Sequence, residues 1–351
     1  MTLTQVGLER LNTATTKKIG TNKNLVINGA MQVAQRGTSS TASGMKTVDR
    51  FNCTSAGTDE TPTQEQADVA SGTTPYTSGF KKSYKITNGD QTSGAGASDA
   101  ILIEYKSESQ DIATSGWNFK SATSFLTMSF WVKSSVAQEF QCQLYNSDTN
   151  KAYLFTYTVS SADTWQKITH SVKGDSSLNF NVDNGAGLEC AWYIFIGTDQ
   201  TVANPTENTW ATYSGTSTKK DAVSTWYTTN NATFELTGVQ WEVGSVATDF
   251  EQRSLGQELA LCQRYFQHLG RDDRLVYTTQ TLGSYNPATF LVFPVEMRAT
   301  PTTTINQTVN NNGTISTSDL SPRNACINIA RSGSSAAMMQ AEFDIKFGAE
   351  L

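Results

Sequence analysis

Five aromatic residues stand apart in this chain. Trp117, Trp210, Tyr213, Trp226 and Tyr227 fall in stretches without strand-like alternation, amid Thr, Ser, Asn and Gly. An aromatic face ringed by hydroxyls and amides can hold a sugar, whose C–H groups stack on the ring while its hydroxyls find polar partners. Residues 204–227 supply both ingredients. The competing reading is packing, since such rings also cap the edge of a sandwich or fill a contact between subunits.

Reactive constellations are weaker. Asp59-Glu60 and Asp272-Asp273 are carboxylate pairs of the kind glycoside hydrolysis needs, but they lie in polar stretches with no apolar pocket around them. The two histidines, His170 and His268, have no Gly-x-Ser-x-Gly partner, and no Gly-rich phosphate loop occurs. Two histidines also make a His-based zinc site unattractive, and Asp175 and Asp183 are not spaced like a calcium cage. No metal, no cofactor and no catalysis are expected. Asp49-Arg50, beside Phe51, reads as a structural ion pair, because a guanidinium fork matches a carboxylate; Arg36 reads as a similar partner.

Composition narrows the class. Only 17% of the 351 residues are charged, 10% are aromatic, and the net charge is −6. A surface of hydroxyls and amides suits strands, and an acidic chain lacks the basic footprint of a nucleic-acid binder. Five dispersed cysteines without a Cys-x-x-Cys read as buried free thiols made in a reducing cytosol. The start of the chain does not read as a signal peptide, and no apolar run approaches a membrane span.

The elements that must carry these residues are strands. Runs such as Leu25 to Ile27, Ala100 to Tyr105, Phe125 to Lys133, Glu139 to Tyr145, Tyr153 to Val159, Cys190 to Ile196 and Phe234 to Trp241 are β-branched or aromatic, most of them alternating, with turn signals between them. The expected fold is all-β: a jelly-roll-like antiparallel β-sandwich over 23–252, a linker helix over 253–269, and a second small β-sandwich over 270–351. The helix starts at Ser254, with Gln257 placed for a capping box, and Leu255, Leu259, Cys262 and Phe266 near one face. Residues 1–22, with Leu3, Val6, Leu8, Leu11 and Ile19, read as an extension that docks elsewhere.

Two segments bracket the main β region. Segment 24–37, with Asn28-Gly29 and Gln35-Arg36-Gly37, leads to Asp49-Arg50-Phe51; segment 238–251 runs from Gly238 through Trp241 to Asp249-Phe250-Glu251. With residues 258–265, 293–301 and the acidic end Glu350-Leu351, this set resembles bacteriophage tail fibre and receptor-binding proteins with a carbohydrate-binding-module-like β-sandwich. Phe51, Trp241 and Asp249 stand where that family more often has Trp, Leu and Pro. The resemblance implies a homotrimeric virion protein, made in the host cytoplasm and placed in the tail. Its N-terminus would attach to other tail or virion proteins, and its sandwich and tip would bind a host-surface glycan or protein by multivalent contact, with no nucleic acid and no membrane insertion. The alternatives are a capsid decoration, head fibre or tail-joining protein without receptor contact, and a surface-polysaccharide depolymerase.

Overall fold

The structure is a computed structural model that describes residues 23–270, 275–281, 288–311, 313–331 and 337–351. The positions assigned to virion attachment, Leu3 to Ile19, lie outside the described residues.

The main body is a jelly-roll-like sandwich of two six-stranded antiparallel sheets. The first has the order β1 (Ser39–Ser40), β3 (Thr63–Asp68), β4 (Lys82–Thr87), β12 (Thr233–Val243), β6 (Phe125–Ser134), β9 (Gln166–Lys173). The second has the order β11 (Trp210–Thr212), β8 (Lys151–Thr158), β7 (Glu139–Asn146), β10 (Ala186–Ile196), β5 (Ala100–Glu108), β2 (Phe51–Ala56). Period-two alternation sends Phe140, Cys142 and Leu144 of β7 into the shared core, with Trp192, Phe130 and Tyr84. The intervening Gln141, Gln143 and Tyr145 are left on the outer face.

The bracketing segments are zipped to each other. Leu25 N donates to Trp241 O, Val239 N to Gly29 O and Asn24 Nδ2 to Val239 O. A Cβ at Gly29 would stand 2.1 Å from Val239 O, so no other residue fits this approach. The strand expected over Leu25 to Ile27 does not form. Asn28 takes a positive φ of 61°, and its side chain staples a turn by accepting from Val33 N and donating to Val33 O and Asp49 O.

The helix is shorter than expected, spanning Leu255–Gln263. Its capping box at Ser254 and Gln257 is present, but Leu255 is 59% exposed, and the buried face is Glu258 and Cys262. Phe266–Leu269 is a strand, β13, because its backbone pairs with β19 (Ala337–Gly348), Phe266 opposite Gly348 and His268 opposite Lys346. Long-range pairing overrides a helical pattern once two of the four side chains, Phe266 and Gln267, are buried. Gly270 follows this strand with φ 74°.

The C-terminal region adds two more antiparallel sheets. β19 pairs with β13 and then β14 (Leu275–Thr281) along one edge and with β16 (Thr302–Asn311) along the other. β15 (Ala288–Val292), β18 (Asn324–Arg331) and β17 (Gly313–Ser318) form the fourth sheet. Phe293, Met297, Ile327, Phe343, Ile345 and Phe347 make a separate second core.

Candidate functional site

The outer face of the second sheet carries a groove of about 200 Å³. Its floor is Ala191 on β10, which lies opposite Glu104 of β5 on one side and Gln143 of β7 on the other. A small side chain between two longer ones leaves a recess. Tyr145, Tyr193 and Tyr213 wall it, with Glu189 beside them. Tyr213 follows β11, and its amide donates to Asn150 O at 2.9 Å, which sets its ring 5.0 Å from that of Tyr145.

Segment 214–223 crosses this face and is tied to it by β7. Gln143 Nε2 donates to Thr218 O at 2.7 Å, and Gln141 both donates to Lys220 O and accepts from Lys220 N. The carboxylates are fixed by donors. Glu104 Oε2 accepts from Asn52 Nδ2 at 2.6 Å and Thr54 Oγ1 at 2.7 Å. Glu189 accepts from Ser147 Oγ at 2.7 Å and lies 3.1 Å from Lys106 Nζ. Burial lifts the Tyr213 and Tyr193 phenols above their ordinary range, so both present hydroxyl groups rather than phenolates. The groove therefore offers aromatic faces, hydroxyls, an amide and two carboxylates within one small concavity.

Of the five expected sugar platforms, Tyr213 alone lines this groove. Trp117, Trp210, Trp226 and Tyr227 are between 0 and 8% exposed and present no open face, a correction to that expectation. Trp117 packs on Phe119 and Phe180. Trp210 donates from its indole to Lys173 O and leans on Tyr153. Trp226 donates to Thr233 O, while Tyr227 stacks on Phe195 and donates to Asp99 Oδ2. Each follows the packing reading, with its polar atom satisfied or its ring buried against neighbours. Glu104, Gln143, Tyr145, Glu189 and Tyr193 were not singled out by sequence, although alternation along Glu139 to Tyr145 and Cys190 to Ile196 already assigns some of these positions to the face opposite the core.

Asp49 and Arg50 do not pair with each other. Arg50 occupies a left-handed position, φ 71°, so the two side chains diverge. Asp49 accepts from Gln35 N and lies 3.4 Å from Arg36 Nη1; burial raises its pKa, with Arg36 opposing. Arg50 reaches Glu350 near the C-terminus, donates to Lys106 O and lies with its guanidinium carbon 3.5 Å from the centre of the Tyr265 ring. Arg36 binds Glu350 at 2.8 Å and covers Phe266. Arg298 donates to the carbonyls of Ala349 and Glu350. Alongside, Arg264 forks onto Glu108 at 2.7 and 2.8 Å; burial pushes the Glu108 carboxyl up, but this fork and the Tyr265 hydroxyl outweigh it and lower it overall. This network clamps the end of the chain against the sandwich.

Cys53, Cys142, Cys190 and Cys262 are buried free thiols and Cys326 is half-buried. Among the described residues no group of three or more His, Cys, Asp or Glu side chains is arranged to hold a metal, and no helix is long and apolar enough to cross a membrane.

No family model and no curated protein sequence matches the chain. Solved structures give partial likenesses. The enzymatically active domain of tailspike protein 4 of bacteriophage CBA120 is 10% identical over 63% of this chain, which spans 22% of that structure, with a TM-score of 0.34. A CBM4 structure is 12% identical over 62% of this chain and 98% of its own length, TM-score 0.32. A family 11 carbohydrate-binding module of a Clostridium thermocellum cellulosomal cellulase is 12% identical over 59% and 95%, TM-score 0.28. Likenesses this distant carry no argument about function, which rests on the groove itself.

Proposed function

We propose that this chain is a phage virion structural protein, a tail fibre subunit that binds a host-surface glycan in the groove walled by Tyr145, Tyr193 and Tyr213. The observation that carries the reading is the groove's chemistry: tyrosine walls, an Ala191 floor, and Glu104, Gln143 and Glu189 as fixed hydrogen-bonding groups. Sugars need this combination of apolar contact and oriented polar partners. The resemblance of the bracketing segments to tail fibre proteins supports the virion assignment. In this reading the sandwich over 23–252 is the body, residues 1–22 attach it to other virion proteins, and the region 270–351 forms the tip of a homotrimer made in the host cytoplasm. The protein binds without cleaving; Glu104 and Glu189 act as acceptors that orient hydroxyls. Affinity at one groove is modest, and three grooves per trimer, repeated over several fibres, multiply it.

The test is adsorption. Purified protein is expected to bind host cells and to block phage attachment, and Tyr213→Ala or Tyr145→Ala to weaken glycan binding about tenfold, the loss of roughly 1.4 kcal/mol of ring contact. Protein that neither binds cells nor competes with the phage would refute the assignment.

A further inference from the structure

The groove's lining is charged with one sign. Glu104 and Glu189 contribute carboxylates, and no Lys or Arg side chain lines it among the described residues. The two acids are not equivalent. Glu189 is partly neutralised by Lys106 Nζ at 3.1 Å. Glu104 is held only by the neutral donors of Asn52 and Thr54, both on Oε2; it makes no ion pair, and Oε1 has no hydrogen-bond partner, among the described residues. Lys219 is not part of the lining, but its Nζ, which donates to Gly215 O at 3.0 Å, lies over the Tyr213 ring at 5.2 Å, so one wall of the groove already faces a cation. A carboxylate with a free oxygen beside tyrosine faces is the arrangement that recognises an ammonium group, through ion pairing and cation–π attraction together.

We infer that the groove selects a glycan unit carrying a free amine, an amino sugar, over its N-acetylated and acidic counterparts, with Glu104 as the residue that makes the distinction. This rests on the groove being the glycan site. An acetamide would bury no charge against Glu104, and a uronate would place like charges together in a partly desolvated recess, which is unfavourable. Tyr145 and Tyr213 supply contact to all three sugars, so they set affinity, while Glu104 sets preference.

Three soluble probes separate these roles by titration calorimetry on the full chain: glucosamine oligomers, N-acetylglucosamine oligomers and galacturonate oligomers, in a mildly acidic buffer that keeps the amines protonated. The expected order is amine first, acetamide second, uronate last, with about tenfold between the first two at low salt. The gap should narrow as ionic strength rises. Glu104→Gln, which keeps the side-chain shape and an acceptor for Asn52 and Thr54, should bring amine and acetamide within about twofold of each other. Glu189→Gln serves as the control and should narrow the gap less, because Lys106 already offsets that charge. Acetamide binding equal to or tighter than amine binding, an unaltered preference in Glu104→Gln, or binding of none of the probes would overturn the inference. A separate failure, binding that Tyr213→Ala leaves intact, would instead remove the groove as the site.

Discussion

The contact most open to a quantitative test is the one between Arg50 and Glu350, 300 residues apart in sequence. Glu350→Gln removes the carboxylate charge and leaves the guanidinium in place. The Arg50 side chain is 1% exposed, and its Nε has no hydrogen-bond partner among the described residues, so it depends on Glu350, Lys106 O and the faces of Tyr265 and Tyr105. Removing one partner of a buried pair costs about 3–5 kcal/mol. Two features reduce this. The Glu350 side chain is 19% exposed, so water can replace part of it, and the Tyr265 ring retains its cation–π attraction. A loss of about 2–3 kcal/mol is expected. For 351 residues unfolding together, an unfolding entropy of about 0.7 kcal/mol/K turns this into a fall in Tm of roughly 3–4 °C. Differential scanning calorimetry of wild type, Glu350→Gln, Arg50→Met and the double variant makes a complete cycle. The double variant should lie well above the sum of the two singles, with a coupling of at least about 1 kcal/mol, since Met fills the space between the tyrosines without an unpaired charge. Additive singles, or a Glu350→Gln protein that melts within 1 °C of wild type (roughly the 0.7 kcal/mol that this entropy assigns to one degree), would mean the clamp contributes nothing and the end of the chain is held by Arg298 and strand pairing alone.

Two further outcomes follow from buried groups. His170 stacks on Phe155 with ring centres 4.0 Å apart, and burial lowers its pKa from 6.5 to about 4. The folded state thus refuses a proton that the unfolded state accepts, so this contribution is complete above pH 6.5, declines as pH falls toward 4 and is flat below. Because the ring is only partly enclosed, about 2 kcal/mol is expected, read as the difference in urea stability between wild type and His170→Phe across that window; parallel pH profiles would contradict it. For the thiols, burial pushes Cys53 up to about 12 and Cys190 and Cys262 well above their usual range. Iodoacetamide should label Cys326 in the native protein and the other four only after denaturation; rapid native labelling of a second cysteine, seen by mass spectrometry, would show that the core opens more readily than its packing implies.

What could be read from sequence was whatever depends on near neighbours. Alternation along 139–145 and 190–196 gives the sandwich because a two-residue period has one physical solution, a sheet with one face buried. The Ser254 and Gln257 cap is equally local, closing over three residues. What escaped depends on distant partners. Phe266–Leu269 reads as the end of a helix until β19 arrives to pair with it. Arg50 reads as the partner of Asp49 until the left-handed turn separates them and Glu350 occupies the space. Trp210 and Trp226 read as loop rings because their stretches lack alternation, yet Trp210 opens the short strand β11, Trp226 sits in the helical turn Thr225–Thr228, and each buries its ring while its indole N–H finds a carbonyl.

The bracketing segments gain a physical meaning from these contacts. Their polar residues are committed to the chain itself: Asn24 to Val239 O, Asn28 to the carbonyls of Val33 and Asp49, Gln35 to Asp49 and Phe266 O, Arg36 and Arg50 to Glu350. A buried donor with its partner already in place has little to offer a ligand, because binding would have to break the existing bond first. The brackets therefore act as the seam that closes the sandwich and receives the end of the chain. Under the proposed glycan-binding role, recognition uses groups not consumed by that seam. The outer face of the second sheet provides them, where Glu104 keeps a free oxygen and the Tyr145 and Tyr213 rings stand side by side above Ala191.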